Sequence, residues 1–575
     1  MGTVKLVAKW RNLILSIVFT AAGILFLKCQ GQLASFGNVV LEERNGLVFD
    51  ATKSNMINNV DANRRSLLST LEVGASVSES DYDAAFDAAY NNKPRQKLSL
   101  PHFSVYRLED AVKEARNFVS TFAIFVYDPS HDSFIGLYSK GHAWTSANSK
   151  LFTTMNSLAF LLRHLFPERF TPNSPELVLA IGSGDNAQVK LSNLPIKSRT
   201  APVFMFGSVF RDTNMYPNLV PMPMPEWPHL LCYEEWVVRG TVCSKLMKAD
   251  TYDALEWNNL TPQLIWRGSN FVYLPSLVRP RMVKPYGFKL KPGEQSSAAS
   301  AIEALRSNYN LLTPRWKGVL LTAESQQEAA LSGRELPWAN MTFTRDIHRE
   351  PIKSYLDGKN VGLLRGSKTL ENLVRYDTTG LTSGAFMRDY DLSKYKYHID
   401  LGGGGGTTWT GSLQKLAMPG LLFHHITPTK DYIHDRLQPW RHYIPVSHDL
   451  SDLKSKFDWA ENHPKEAEWI ANQGTAFMKH LGSKEGFDEM FQEDLVAPLR
   501  QAIEAYQPVG KTHPGMTWRE VLKASFRDEY EMAPIVECSG IGNARNSCSP
   551  IGGARGWVSS ISYGLHRVAY SPSIG

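Results

Sequence analysis

The chain has 575 residues, 43% of them hydrophobic and 21% charged, with 14 Trp, 22 Tyr and 27 Phe. That composition builds hydrophobic cores in more than one domain, and it excludes a disordered, collagenous or low-complexity protein. The net charge of +6 comes from 62 basic and 56 acidic side chains with no basic run, so no nucleic-acid partner is expected, and five cysteines are too few for a disulfide scaffold.

Leu13 to Leu27 is an uninterrupted run of apolar and small residues, with Lys5, Lys9 and Arg11 before it and Lys28 after it. The upstream bases favour a cytoplasmic N-terminus. The run is shorter than the roughly 20 residues that cross a typical bilayer, and it also has the length of a signal-peptide core. Thin early-secretory membranes accept short spans. Lys28 adjoining the run and the lack of an A-x-A pattern favour an uncleaved anchor. The expected layout is a cytoplasmic tail over 1–11, a signal anchor over 12–28 and a polar stem over 29–100, with the remainder luminal. Two sequons, Asn259-Leu-Thr261 and Asn340-Met-Thr342, fit that compartment, and both asparagines are expected to carry glycans. Cys232 with Cys243 and Cys538 with Cys548 are spaced for local disulfides or for four free buried thiols.

Tyr82 to Tyr90 reads as a helix within the stem. Phe122–Tyr127, Leu177–Ile181 and Val203–Phe206 read as strands, with Leu151, Met155, Leu158, Leu162 and Leu165 at helical spacing between the first two. Met215 to Pro228 holds five prolines and reads as an extended loop. A second series follows: strands at Leu264–Trp266, Val319–Leu321, Tyr397–Asp400, Leu421–Phe423 and Tyr443–Val446, with helices at Ser297–Asn308 and Leu413–Met418. Pro464 opens a last helix whose apolar face is Ala467, Ile470, Ala471, Gly474, Phe477, Met478 and Leu481. Two β–α series predict an α/β protein with two doubly wound Rossmann-like domains facing a cleft, over 101–260 and 261–490, and a helical extension over 491–575. Such sheets bind ligands at the carboxyl ends of their strands.

Gly402 to Gly406 follow a strand and lead through Thr407-Thr408-Trp409 to the helix containing Ser412. Glycines there let backbone N–H groups approach a phosphate at a helix N-terminus. The run lacks the Gly-Lys-Ser/Thr of a P-loop and the third glycine of G-x-G-x-x-G, and a flexible surface loop is the competing reading. Asp389-Tyr-Asp391 and Asp81-Tyr-Asp83 match the D-x-D pattern of metal-dependent sugar transferases, but neither follows a strand, and both read as solvated acidic pairs. His424, His425, His434 and Asp435 could gather a metal in principle. Adjacent strand residues point oppositely, however, so no metal is expected. Asp185 comes just after a strand and Gly182-Ser-Gly184, where catalytic side chains and turn-forming aspartates both occur.

Lys394-Tyr-Lys-Tyr-His-Ile-Asp400, Trp409-x-x-Ser412, Gln438-Pro-Trp-Arg-His-Tyr-Ile-Pro-Val446 and Asp449-Leu-Ser-Asp-Leu453 together resemble the capsule-associated-protein and Rumi-like glycosyltransferases, glycosyltransferase family 90. Trp266-Arg-Gly-Ser269, Pro202–Phe206 and Tyr216-Pro217 extend the resemblance over roughly residues 100 to 490. It implies a two-domain GT-B fold and an inverting, metal-independent transfer from a UDP-sugar, glucose or xylose, to a hydroxyl of a glycan or glycoprotein in the Golgi or endoplasmic reticulum. It also implies no cofactor beyond that substrate. Asp185-Asn-Ala-Gln188 matches the family's Asp-x-x-Gln, which implies Asp185 as catalytic base. Donor contacts are implied for Arg267, Ser269, Arg279 (or Arg281), Gly404, Gly405, Gly406, Thr407, Thr408, Trp409 and Ser412. Two departures stand out: Gly184 replaces the arginine that precedes the base in Rumi-like members, and no arginine follows the Lys-Tyr-x-Tyr strand in its loop. A non-catalytic carbohydrate-binding protein on the same scaffold is the alternative; a glycoside hydrolase would need a second facing carboxylate.

Overall fold

The structure is a computed structural model that describes residues 78–91, 103–116, 122–139, 146–182, 201–206, 209–211, 216, 218–222, 252–269, 298–307, 309–345, 386–403, 405–407, 410–526 and 530–535. In chain order the strands are β1 (Phe122–Asp128), β2 (Ser133–Ser139), β3 (Leu177–Gly182), β4 (Val203–Phe206), β5 (Val209–Phe210), β6 (Leu219–Met222), β7 (Thr261–Ser269), β8 (Ala339–Arg345), β9 (Tyr395–Asp400), β10 (Leu421–His425), β11 (Thr429–Lys430), β12 (Ile444–Val446) and β13 (Tyr530–Pro534). The helices used below are α1 (Glu79–Asn91), α2 (Leu108–Ala115), α3 (Ser146–Leu165), α4 (Ala298–Ser307), α5 (Pro314–Ser332), α6 (Asp389–Leu392), α7 (Thr410–Ala417), α8 (Leu453–Asn462), α9 (Pro464–Leu481), α10 (Lys484–Phe491), α11 (Ala497–Ala505), α12 (Val509–Thr512) and α13 (Trp518–Phe526).

Two large sheets result, and only the second is wholly parallel. The first runs β13-β2-β1-β3-β4-β6. Only β3, β4 and β6 pair in parallel; β13, β2, β1 and β3 pair antiparallel. This corrects the expectation of a doubly wound first domain: β1 and β2 are joined by a tight turn at Asp128–Ser133, which leaves no room for the crossover a parallel pair needs. The proline-rich stretch also contains a strand, since β6 carries Pro221 on the sheet's edge, where no ladder donor is missed. Its core joins Ile124, Val126, Leu179 and Phe204 to Met155 and Leu162 of α3 and to Leu499, Trp518 and Leu522 of α11 and α13. The segment expected as a C-terminal extension is therefore packed on the first sheet, and β13 is one of its strands.

The second sheet runs β12-β10-β9-β7-β8, and every pair is parallel. Counting these strands from β7, the spatial order is 2-1-3-4-5, a doubly wound arrangement with its switch point between β7 and β9. One face, with Leu264, Trp266, Tyr397, Ile399, Leu421 and Phe423, packs on α5 and α8. On the other face Leu422 meets Leu413 and Leu416 of α7 and joins the first core. The helix expected within the stem, α1, belongs here too: Tyr82 and Phe86 are buried in the second core, and Trp459 Nε1 donates to Asp83 at 2.8 Å.

Val319–Leu321, expected as a strand, lies inside α5. Pro314 opens that helix, Gly333 closes it in the left-handed region (φ 67°), and Trp316, Val319, Leu320 and Ala323 bury one face at helical spacing. Helix α9 has the bounds expected of it. Among the described residues no helix is long and apolar enough to cross a membrane. The expected anchor at 12–28 lies outside the described residues, as do all five cysteines.

Candidate functional site

The carboxyl ends of β7 and β9 meet a folded glycine loop. Gly402 N–H donates to His425 Nδ1 at 3.0 Å, Gly403 N–H to the Thr407 carbonyl at 3.2 Å, and Gly406 N–H to the Gly403 carbonyl at 3.0 Å. Thr429 Oγ1 donates to the Gly405 carbonyl at 2.6 Å. A Cβ on Gly402 would lie 2.6 Å from the Gly406 carbonyl oxygen, and Gly406 itself has φ 82°, so both positions require glycine. Gly402, Gly403, Gly405, Gly406 and Thr407 are buried, which removes the reading as a flexible surface loop. Thr407 Oγ1 has no hydrogen-bond partner among the described residues. Gly404, Thr408 and Trp409 lie outside the described residues.

An arginine absent from the sequence expectation sits at this switch point. Arg315, in the first turn of α5, donates from Nη1 to the Ser269 carbonyl at 2.6 Å and from Nη2 to the Leu401 carbonyl at 3.1 Å. It therefore ties the end of β7 to the end of β9. Its guanidinium lies 5.3 Å from the Trp266 ring centroid, and a Cβ on Gly403 would fall 2.8 Å from Nη2. Reading Val319–Leu321 as a strand hid the helix that delivers it. Arg279 and Arg281, expected in this role, lie outside the described residues. Arg267, expected as a donor contact, donates from Nη1 to the Trp266 carbonyl at 2.9 Å and to the Asn340 carbonyl at 2.7 Å, which braces β7 against β8. Burial lowers its pKa.

Beneath the loop lies a buried polar string. Asp400 and His424 are neighbours in the β9–β10 register, so their side chains share a face. Asp400 Oδ2 accepts from Ser412 Oγ at 2.5 Å and from His424 Nδ1 at 2.8 Å, while Oδ1 accepts from the His425 N–H at 3.0 Å. Burial pushes the Asp400 carboxyl up, but His424 and the Ser412 hydroxyl outweigh it and hold the pKa at about 2. Burial takes His424 down to about 4 against the pull of Asp400, so the pair at neutral pH is a carboxylate and a neutral imidazole. Ser412, expected at the donor, is fully buried and donates to Asp400.

His424 and His425 do point oppositely, the latter toward Gly402 and the His448 carbonyl. Asp400, His424 and His434 nevertheless bring ligand atoms within 4.8 Å of one another. Both His424 nitrogens are already engaged: Nδ1 with Asp400, and Nε2 with Arg211 Nη2 at 2.9 Å. The arrangement fits a hydrogen-bonded core better than a metal centre, because a guanidinium occupies the lone pair a metal would use. Asp389 and Asp391 lie on α6, before the amino end of β9, and Asp391 pairs with Lys394 at 3.1 Å. The strand's length, about 20 Å, separates them from the loop.

In the first half, β3 ends at Gly182, and Asp185 lies outside the described residues. The short ribbon of β5 with β11 pairs Phe210 with Thr429 and Val209 with Lys430. Because β5 follows β4 and β11 follows β10, the ribbon joins the carboxyl edges of the two parallel strand sets. Of the sequon asparagines, Asn259 is exposed on a 3₁₀ turn. Asn340 lies within β8, and its Nδ2 donates to Gln263 Oε1 at 3.2 Å.

Residues 376–493, which hold the glycine loop, Asp400, Ser412 and His424, match the family described as glycosyl transferase family 90. Over that segment, about a fifth of its length, the chain is similar to glycosyl transferase family 90. It is 40% identical over 94 residues to protein O-glucosyltransferase 2 of Danio rerio, covering 16% of this chain and 18% of that one. Protein O-glucosyltransferase 3 of Homo sapiens is 29% identical over 161 residues, 28% of this chain and 27% of that one. Protein O-glucosyltransferase 1 of Homo sapiens is 29% identical over 165 residues, 27% of this chain and 41% of that one. The chain thus spans less than half the length of each of these relatives. The family segment contains the glycine loop and the polar string but not Arg267, Ser269 or Arg315.

Proposed function

We propose that this protein is an inverting, metal-independent glycosyltransferase that moves a sugar from a UDP-sugar to a hydroxyl of a protein or glycan in the secretory pathway. The observation that carries the reading is the switch point between β7 and β9. There a glycine loop, a helix N-terminus and the Arg315 guanidinium converge at the carboxyl edge of a parallel sheet, within and beside the family segment. The names of the three relatives described above, each a protein O-glucosyltransferase, favour glucose over xylose and a protein acceptor. In this reading Asp185, three residues past the end of β3, takes the proton from the acceptor hydroxyl. The oxygen attacks the anomeric carbon as the bond to the β-phosphate oxygen breaks, inverting that centre, and UDP leaves with the electron pair. Arg315 and the amides of the loop offset the charge that develops on the diphosphate. Arg267 acts indirectly, by bracing the strand that ends at Ser269. The N-terminal apolar run anchors the chain with this site in the lumen of the Golgi or endoplasmic reticulum.

Turnover of a UDP-sugar panel by the purified chain, with and without a peptide acceptor, tests this reading. Asp185→Asn is expected to cut transfer by about 10²–10⁴-fold while UDP still binds. UDP binding without turnover of any sugar would support a carbohydrate-binding protein instead, and absence of UDP binding would overturn the assignment of the loop.

A further inference from the structure

Arg211 comes from the first half of the chain, directly after β5, yet its side chain ends in the second half. Its N–H donates to the Pro428 carbonyl at 2.9 Å and its Nε to the Thr427 carbonyl at 2.7 Å, and Nη2 lies 2.9 Å from His424 Nε2. A guanidinium has only donors, so His424 Nε2 is the acceptor and its single proton sits on Nδ1, facing Asp400. Asp400 in turn holds both flanks of the glycine loop. Its Oδ2 takes Ser412, in the first turn of the helix that follows the loop. Its Oδ1 takes the backbone of His425, whose Nδ1 holds Gly402 at the loop's start.

We propose that Arg211 is a positioning residue: by fixing the tautomer of His424, and through it the orientation of Asp400, it makes the shape of the glycine loop depend on how the first half is seated on the second. This deepens the reading of that loop as a nucleotide-diphosphate site and rests on it. The donor site is then complete only when the acceptor-side half supplies its arginine. A plain brace between the halves would act through the β5–β11 ribbon and the two carbonyl contacts of Arg211, and would not route through His424.

Arg211→Ala and His424→Asn, alone and together in the full chain, separate the two. Asn at 424 keeps a donor toward Asp400 and removes the acceptor that Arg211 uses. The readouts are UDP affinity by calorimetry and amide exchange of residues 402–407 by mass spectrometry. Arg211→Ala is expected to weaken UDP about tenfold, the size of one charge-assisted hydrogen bond, and to speed loop exchange to a similar degree. In the His424→Asn background it should add less than about twofold to either loss, the signature of two residues acting as one unit. Arg211→Lys, which restores a donor, should recover part of both. Equal losses in the two backgrounds, or a lowered melting temperature with loop exchange unchanged, would overturn the proposal in favour of a brace. If the wild-type chain binds no UDP, the donor-site reading fails, and exchange of the loop still decides whether Arg211 positions it.

Discussion

Acidification should unfold this protein through four buried imidazoles. Burial lowers the pKa of His398 to about 3, His424 to about 4, His425 to about 3 and His442 to about 4, from 6.5. In the unfolded chain each returns to about 6.5. Below that pH the unfolded state takes up protons that the native state refuses, so the stability is whole above pH 6.5 and is lost as pH falls toward 4. Asp400 does not act in this window: its pKa is depressed from 3.8 to about 2, so its contribution is present above 3.8 and is lost only below it. Between pH 7 and 5.5 each imidazole removes on the order of 1 kcal/mol, or about 4–5 kcal/mol for the four. That equals the whole stability of a modest domain, about 5–15 kcal/mol. Urea unfolding followed by Trp fluorescence, in half-unit steps from about pH 7.5 to 5.5, measures the slope. His442→Asn should remove about a quarter of it, because an amide oxygen can accept from the Gln438 N–H as His442 Nδ1 does at 2.9 Å. A stability constant to within about 1 kcal/mol over that range would refute the reasoning.

Gly402→Ala is expected to lower UDP affinity more than tenfold and to cost about 1–3 kcal/mol of stability, since its Cβ would meet the Gly406 carbonyl at 2.6 Å and the Thr427 methyl at 3.0 Å. Calorimetry and thermal melting check it, and a wild-type UDP affinity would sink it. Arg315→Ala should weaken UDP about tenfold or more and leave uridine nearly unchanged. Arg267→Ala should instead lower the melting temperature and weaken both ligands alike, because its contacts brace β7 on β8, whereas Arg315 lies against Gly403 of the loop. The opposite pattern in calorimetry would return the diphosphate to Arg267. Chelation by EDTA should leave transfer intact; loss of activity with recovery on Mn²⁺ would bring Asp389 and Asp391 back as candidates.

Four of the second sheet's five strands, β7, β9, β10 and β12, were legible from short segments rich in apolar and aromatic residues, and α9 because its opening proline and its apolar face agree. The errors share a cause. Val319–Leu321 is equally apolar as a strand or as one face of a helix, and periodicity over three residues cannot choose. The edge strand β6 was obscured by Pro221, and β8, which the sequence reading did not single out, mixes Asn340, Thr342 and Thr344 with its apolar residues. The glycine loop could be read in the sequence because its glycines are consecutive. Asp400 with His424, and Arg315 with Ser269 and Leu401, could not, since each pairing is created by strand order rather than by spacing along the chain. Ser412 was expected to contact the donor, and the partner the structure gives it is Asp400, a carboxylate 12 residues upstream.

Strand β13 pairs with β2, joining Tyr530 to Ser139 across 391 residues of chain. During synthesis at about 5–20 residues per second, roughly 20 to 80 s pass between the two partners. For that interval the outer edge of β2 is an open template, and the apolar face that α11 and α13 will cover is exposed. The protein's hazard in the cell is therefore one of timing. A chain that stalls or is cut before Tyr530 keeps an intact glycine loop and polar string but presents an unsatisfied strand edge, the feature that recruits other chains into aggregates.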